Sequence, residues 1–77
     1  MKNTKYYFSV SMSYAECENL YHDQIQYLVV TSTEGKRIQL PKQNMQKFVS
    51  LNGLHGMFVM EVDRNNKIKM INKYESR

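Results

Sequence analysis

The number of cysteines is the feature that most limits how this chain can fold. Its 77 residues include one cysteine, Cys17, so no intrachain disulfide can form, and the small secreted proteins held together by disulfides are excluded as a class. A chain of this length buries only about 60% of the surface that its unfolded form exposes, and its core supplies about 3–5 kcal/mol of stability. We therefore expect a single domain over residues 1–77 and, because pairing buries additional surface, a homodimer.

The composition is that of an ordinary folded protein. Apolar residues make up 42% of the chain and charged residues 23%, which is typical of globular rather than disordered proteins. No apolar run approaches the ~20 residues that cross a bilayer. The N-terminal lysines are followed by tyrosines and serines rather than by the apolar region of a signal peptide. We expect a cytoplasmic protein that does not enter a membrane.

The first part of the chain contains a predicted strand followed by a predicted helix. Apolar and polar side chains alternate over residues 5–13, and a period of two indicates a half-buried strand. Ser13 and Glu16 have the spacing of a capping box, in which each side chain bonds the backbone amide of the other residue. This box predicts a short helix that ends near His22 and carries Cys17 on its apolar side.

The middle of the chain predicts a strand hairpin and a second short helix. Residues 25–33 are apolar on both sides, which indicates a strand in the centre of a sheet. A turn at Gly35 leads to a short partner strand over residues 37–40. Pro41 has no amide hydrogen to donate and suits the first turn of a helix, so we expect a helix over residues 42–49.

The last third of the chain predicts a loop, a second hairpin and a tail. Two glycines indicate a loop over residues 52–56. Residues 57–63 and 67–71 alternate as two strands, with asparagines in the turn between them, and residues 72–77 are expected to fray. The predicted fold class is α+β: a small antiparallel sheet or partly closed barrel of about five strands with two short helices, in the order β-α-β-β-α-β-β.

Positive charge is concentrated in the second half of the chain. Residues 34–77 contain nine Lys and Arg against four Asp and Glu, a net charge of +5, whereas residues 1–33 carry −1. Such a surplus is typical of a solubilising surface, and also of a surface that binds an anion, most often nucleic acid. We take six of these basic residues as candidate contacts with nucleic acid or another anionic partner. They are Lys36, Arg37, Lys42, Lys47, Lys67 and Lys69.

A second hypothesis is a protein–protein adaptor or assembly domain. An exposed strand edge can accept a strand from another protein. The predicted loop between Gly53 and Gly56 is the other docking point, with His55 as a candidate contact. Both hypotheses describe a non-enzymatic binding module.

No group of residues has the composition and spacing of an active site. Cys17 and His22 are the one pair that resembles a nucleophile and its base, but five residues along a helix amount to a net rotation of about 140°, so the two face nearly opposite ways. A free cysteine on the apolar side of a helix usually behaves as a small buried hydrophobe. Cys17, His22 and His55 also lack the spacing of a metal site. We predict no catalytic residue, no metal and no cofactor.

Tyrosine is abundant, and exposed tyrosines can stack on nucleic-acid bases. Alternation places Tyr6 and Phe8 on the same side of the first strand as Val10, so both are assigned to the core. Tyr7 points the other way and is the exposed candidate for stacking.

A set of residues spread over the chain is typical of a known family. The set comprises Tyr7-Phe8, Ser13-Tyr14, Cys17, Tyr21, Arg37-Ile38-Gln39-Leu40-Pro41, Phe48-Val49, Gly53-Leu54-His55-Gly56 and Phe58. Through it the chain resembles, over nearly its full length, a small family of bacterial proteins of unknown function, DUF2835. The resemblance implies a compact αβ domain and brings no assigned activity.

A second resemblance covers residues 29–71 only. It rests on short motifs at residues 35–42, 53–54, 59–63 and 67–68. These are similar to the swapped-hairpin AbrB-type DNA-binding domain, in which two chains interleave into one barrel and present basic residues to DNA. Arg37 and Lys42 stand where that pattern has basic residues, whereas Asn44 and Met45 depart from it.

Overall fold

The computed structural model describes residues 3–74, which form five strands and two short helices. The strands are β1 (Thr4–Met12), β2 (Tyr27–Thr31), β3 (Arg37–Pro41), β4 (Leu54–Val62) and β5 (Ile68–Lys73). The helices are α1 (Tyr14–Cys17), which continues as a 3₁₀ turn over Glu18–Tyr21, and α2 (Gln43–Gln46). The predicted α+β class and the order of elements are confirmed.

The strands form two antiparallel sheets that touch at one place. One sheet has the order β1-β4-β5 and the other consists of β2 and β3. Phe8 of β1 forms an isolated antiparallel bridge with Ser32, and the Thr33 amide donates to the Tyr7 carbonyl oxygen at 2.7 Å. The strands therefore follow one another in space as β3, β2, β1, β4 and β5. This series is not closed, because neither β3 nor β5 pairs with a further strand in the described part of the chain.

The core is one cluster to which all five strands and both helices contribute buried side chains. Alternation along β1 and β4 places Phe8 opposite Phe58, where the two rings stack at a centroid distance of 5.8 Å. Phe48, which follows α2, meets the Phe58 ring edge-on at 5.0 Å. The helices add Leu20 and Met45, both fully buried. Each such side chain contributes about 1.5–3 kcal/mol when buried.

The capping box forms as predicted. The Glu16 amide donates to the Ser13 hydroxyl (3.1 Å), and the Ser13 amide donates to the Glu16 carboxylate (2.8 Å). Hydrogen bonds from Ser13 lower the pKa of Glu16, the backbone one most strongly. The helix carries Cys17 into the core, where its side chain is 1% exposed. The prediction that Cys17 packs as a small hydrophobe is confirmed.

The prediction that the second strand lies in the centre of a sheet is wrong. β2 pairs along its length with β3 alone and meets β1 only past its end, at the Phe8–Ser32 bridge. Val30 is buried and Leu28 packs against the core, whereas Tyr27 and Val29 on the other side are 52% and 50% exposed. This strand therefore carries apolar residues on both sides, although only one side is buried and the other is exposed.

The predicted loop over residues 52–56 is also wrong. β4 begins at Leu54, which pairs with Met12, so His55 and Gly56 are strand residues. Gly53 is buried with φ 98°, and a Cβ atom there would lie 2.1 Å from the carbonyl oxygen of Met12. This glycine serves a close approach between two backbones rather than an open loop.

The ends of α2 and β5 also differ from the prediction. α2 spans four residues, because the chain continues through Phe48 and Val49 with bonds to residues three positions earlier instead of a regular helix. β5 reaches Lys73, and the Tyr74 amide donates to the Met57 carbonyl oxygen at 2.8 Å, so pairing extends beyond the predicted end at residue 71. Residues 75–77 of the predicted tail lie outside the described residues.

Gly53→Ala is predicted to remove most of the stability of the domain. The new methyl group meets backbone that cannot move independently, and strain from positive φ adds to this overpacking, so we expect a loss of about 3 kcal/mol or more in the free energy of urea unfolding. Gly35→Ala is the matched control, because Gly35 has φ 90° but nothing within 4 Å of its Cβ position. Only the strain of positive φ remains there, so we expect a loss of about 1–2 kcal/mol in the free energy of unfolding. Equal losses would contradict the close contact at Gly53.

Candidate binding cleft at the open side of the sheet

A cleft of about 470 Å³ lies on the open side of the strand series, between β3 and the beginning of β5. We call it the seam cleft and define it by its lining residues. They are Tyr6, Lys36, Arg37, Ile38, Gln39, Pro41, Asn44, Met60, Val62, Asn66, Lys67 and Ile68. Three of these described residues are basic and none is acidic, so the cleft attracts negative charge.

The floor of the seam cleft is apolar because alternate strand side chains turn toward the core. Met60 and Val62 of β4 are 1% and 6% exposed, and Ile38 of β3 is 9% exposed. Tyr6 and Ile68 pack against this cluster and remain partly accessible. A ligand in the cleft would meet hydrocarbon beneath it and positive charge at the rim.

Lys36 is positioned by the hairpin turn that joins β2 to β3. The Ser32 amide donates to the Lys36 carbonyl oxygen (2.8 Å), and Gly35 takes the positive φ that reverses the chain. The Ser32 hydroxyl oxygen accepts hydrogen bonds from the amides of Glu34 (3.2 Å) and Lys36 (3.1 Å). Ser32 is buried, so a shielded hydroxyl fixes the backbone that carries Lys36.

Lys67 is positioned by a second turn of the same construction, between β4 and β5. The Asp63 amide donates to the Lys67 carbonyl oxygen (2.9 Å), and Asn66 takes the left-handed conformation (φ 63°). The Asp63 Oδ1 atom accepts hydrogen bonds from the amides of Asn65 (2.8 Å) and Lys67 (2.9 Å). The bond from Lys67, above all, holds the pKa of the Asp63 carboxyl below its usual value, and the charge of Lys69 adds to this effect.

The two turns therefore deliver one lysine each to the same cleft. In both, a side-chain oxygen accepts from the amides two and four residues later, and the lysine follows a residue with positive φ. Arg37 comes directly after Lys36 and is the third basic residue of the cleft. Lys36, Arg37 and Lys67 are thus the predicted contacts that the fold brings together.

An aromatic ring lies at the edge of this basic group. The Nζ atom of Lys36 is 5.6 Å from the centroid of the Tyr6 ring, within the range of a cation–π contact. Tyr6 was assigned to the core, but it is partly exposed and lines the cleft. Tyr7, the predicted exposed ring, lies on the other face of β1, where it meets Tyr74 edge-on at 5.1 Å.

The other three predicted basic contacts lie outside the seam cleft. Lys42 lines a separate cavity, and its Nζ atom donates to the carbonyl oxygen of His22. Lys47 places its Nζ atom 5.4 Å from the centroid of the Phe48 ring. Lys69 is the extra residue of a β-bulge in β5, because the pairing with β4 passes from Met70 directly to Ile68.

His55, the candidate loop contact, is a strand residue with both ring nitrogens engaged. Its Nε2 atom donates to the Asn52 carbonyl oxygen at 2.8 Å, since a carbonyl can only accept. Its Nδ1 atom lies 3.3 Å from the Ser11 hydroxyl, which donates to it when the ring is neutral. His55 thus secures the start of β4 against β1.

The remaining reactive groups have structural surroundings. Burial raises the pKa of the Cys17 thiol, and the charge of Glu16 raises it further, which opposes formation of the nucleophilic thiolate. Among residues 3–74, no three His, Cys, Asp or Glu side chains come close enough to hold a metal ion. Over the same residues, no helix has both the length and the apolar character needed to span a membrane.

These features define a small α+β domain whose strand series is open on one side, with a basic cleft at the opening. The model of the family described as "Protein of unknown function (DUF2835)" matches residues 4–74. The chain belongs to this family, and the resemblance noted in its sequence is confirmed. No curated protein and no solved structure gives a significant match, and the partial resemblance to AbrB-type domains is not shown.

The two residues that position the lysines of the site, Ser32 and Asp63, were not predicted from the sequence, although a signal for them exists. Neither residue is part of the basic surplus or of a recognised functional motif, yet the side-chain oxygens of Ser32 and Asp63 fix the two turns. The signal is a repeated spacing: an oxygen-bearing residue is followed three positions later by Gly35 or Asn66, and then by lysine.

Asp63→Ala is predicted to loosen the second turn and to lower the stability of the domain, whereas Asp63→Asn keeps an oxygen that accepts from the same amides. Because the folded-state pKa of Asp63 is depressed, its contribution is present above the ordinary aspartate pKa of about 3.9 and is lost as pH falls through the folded-state value. The free energies of urea unfolding of the wild type and the two variants, at neutral and acidic pH, measure this contribution.

The wild-type advantage over Asp63→Asn should therefore shrink on acidification. The side-chain size and the amide acceptor are matched in this pair, so only the carboxyl charge differs. An advantage that stays constant across the acidic range would show that the charge of Asp63 does not support the turn.

Proposed function

We propose that this chain is a non-enzymatic binding module of the cytoplasm that holds an anionic partner in the seam cleft. The observation that carries the proposal is the convergence of Lys36, Arg37 and Lys67 above an apolar floor. Two of the three are presented by turns whose backbone is fixed by side-chain oxygens. A rigid backbone beneath a charged side chain lowers the entropy that binding must overcome.

The structural use of the reactive side chains supports a binding role rather than catalysis. The Cys17 thiol is buried, which also suits a reducing compartment. Glu16 is committed to the helix cap and His55 to the contact between β1 and β4. Asp63 is committed to its turn. The charged groups at the cleft are all cations, which suits the binding of an anion.

A nucleic-acid strand is the first partner to test. Phosphates pair with lysine and arginine, and Tyr6 offers a partly exposed ring beside Lys36. The second candidate is a protein segment docked on a strand edge. It is favoured by the unpaired outer sides of β3 and β5 within the described residues. A homodimer remains part of the proposal, supported by the exposed Tyr27 and Val29 side chains of β2.

The proposal predicts binding of a single-stranded oligonucleotide that weakens as salt rises. Three phosphate contacts on a single strand imply a loss of about 20-fold in affinity between about 50 and 200 mM salt, measured by fluorescence anisotropy. The double variant Lys36→Gln with Arg37→Gln should bind much more weakly at low salt. Light scattering of the same samples gives the oligomeric mass, and a monomer would contradict the homodimer.

The matched control is the double variant Lys47→Gln with Lys69→Gln. It removes the same charge from residues outside the cleft, so it should retain most of the affinity. If both double variants lose affinity equally, the attraction comes from net charge and not from the cleft. If neither the oligonucleotide nor an acidic peptide binds at low salt, the proposal is wrong.

A further inference from the structure

The strand directions on the two sides of the seam cleft are those that one additional antiparallel strand would require. β1 runs antiparallel to β4, and β4 runs antiparallel to β5. On the other side, β2 runs antiparallel to β1 at the Phe8–Ser32 bridge and also antiparallel to β3. β3 and β5 therefore run in the same direction on the two sides of the cleft. A segment running opposite to both would complete an alternating series of six.

The free side of β3 offers backbone groups to such a segment. The Ser32 amide donates to the Lys36 carbonyl oxygen, and the Lys42 amide donates to the Gln26 carbonyl oxygen. Bonded pairs alternate along an antiparallel ladder, so Ile38 and Leu40 between these points direct their backbone groups at β2. The amides and carbonyls of Arg37 and Gln39 consequently point into the seam, and both residues line the cleft.

The free side of β5 is arranged in the same way. The Tyr74 amide donates to the Met57 carbonyl oxygen, and the register pairs Asn72 with Val59. By the same alternation, the intervening residues Ile71 and Lys73 direct their backbone groups away from β4. Each edge thus carries its own row of donors and acceptors that is unpaired within the described residues. On the β5 side Ile68 lines the cleft, whereas Ile71 and Lys73 lie farther along the strand, outside the lining.

The side chains around the seam select the composition of the segment. Apolar Met60, Val62 and Ile68 lie below it, and Lys36, Arg37 and Lys67 lie at the rim without an acidic residue among the lining side chains. A strand directs successive side chains to opposite faces, so apolar residues would face the floor and acidic ones the rim. Alternating backbone donors and acceptors match a peptide, whereas nucleic acid has no comparable row.

We infer that the partner of the seam cleft is an extended peptide segment, with acidic and apolar residues in alternation, that adds as a sixth strand between β3 and β5. The length of β3, five residues, sets the length of the paired part. This inference rests on the proposed function, since it uses the same cleft and cations, and it names the anionic partner as a protein segment.

The test uses the full chain and a short synthetic peptide in which glutamate and valine alternate. A twin peptide carries N-methyl groups on alternate amides, which keeps its charge and side chains but removes hydrogen bonds to one edge. We expect the first peptide to bind and the twin to bind at least about tenfold more weakly. In the complex, the amides of Arg37 and Gln39 should exchange with solvent more slowly than in the free protein.

A variant of the protein tests the same bond from the other side. Gln39→Pro removes an amide hydrogen that faces the seam and leaves the hydrogen bonds between β3 and β2 in place. It should lower the affinity for the peptide by a similar factor. Gln39→Ala removes the same side chain but keeps the amide, so it is the matched control and should bind the peptide more tightly than Gln39→Pro does. If Gln39→Pro fails to fold, comparing the affinities of the two peptides for the wild-type protein still tests the inference.

The outcomes separate this inference from the proposed function. Equal binding of both peptides, or binding of a single-stranded oligonucleotide without the peptide, would overturn the inference and leave an anion-binding cleft. Protection of Arg37 and Gln39 that grows with protein concentration in the absence of peptide would overturn it too, because a second copy would then fill the seam. Binding of neither ligand would overturn both.

Discussion

Strand direction is the constraint on which the rest of this structure depends. Every strand contact in residues 3–74 is antiparallel, and an odd number of strands in such a series ends in two edges that run the same way. These edges cannot continue the antiparallel ladder with each other, because parallel pairing uses a different, slanted hydrogen-bond pattern. Closing the series would need a parallel pair, and none joins β3 to β5 in the described residues. The series is open, and part of the core that includes Met60 and Val62 forms the floor of a cleft.

The cleft acquires its charge from the turns on either side of the opening. Ser32 and Asp63 each supply one oxygen that accepts two backbone amides, and each turn ends in a lysine at the rim. At the far end of the sheet, Gly53 lets β4 begin directly beneath the junction of β1 and α1. The pairing of β1 with β4 thus determines the apolar floor of the cleft, and the two turns determine the lysines at its rim.

The elements that local pattern determines were predictable, and those that depend on distant contacts were not. Alternation over β1 and the spacing of Ser13 and Glu16 specify a strand and a capped helix before any packing is known. Gly53 indicated a loop, because sequence alone cannot distinguish a glycine that reverses the chain from one that allows another backbone to approach. Both sides of β2 are apolar, and only the tertiary structure shows that one of them is left uncovered.

The same division applies to the site. Positive charge in the second half of the chain indicated six candidate contacts, and three-dimensional pairing decides that Lys36, Arg37 and Lys67 meet while the others separate. Amide hydrogen exchange along β3 in the free protein tests the open seam most directly. An open seam predicts slow exchange at Ile38 and Leu40 and fast exchange at Arg37 and Gln39. Equal protection at all four positions would mean that the outer edge of β3 is already paired, and would contradict the open seam.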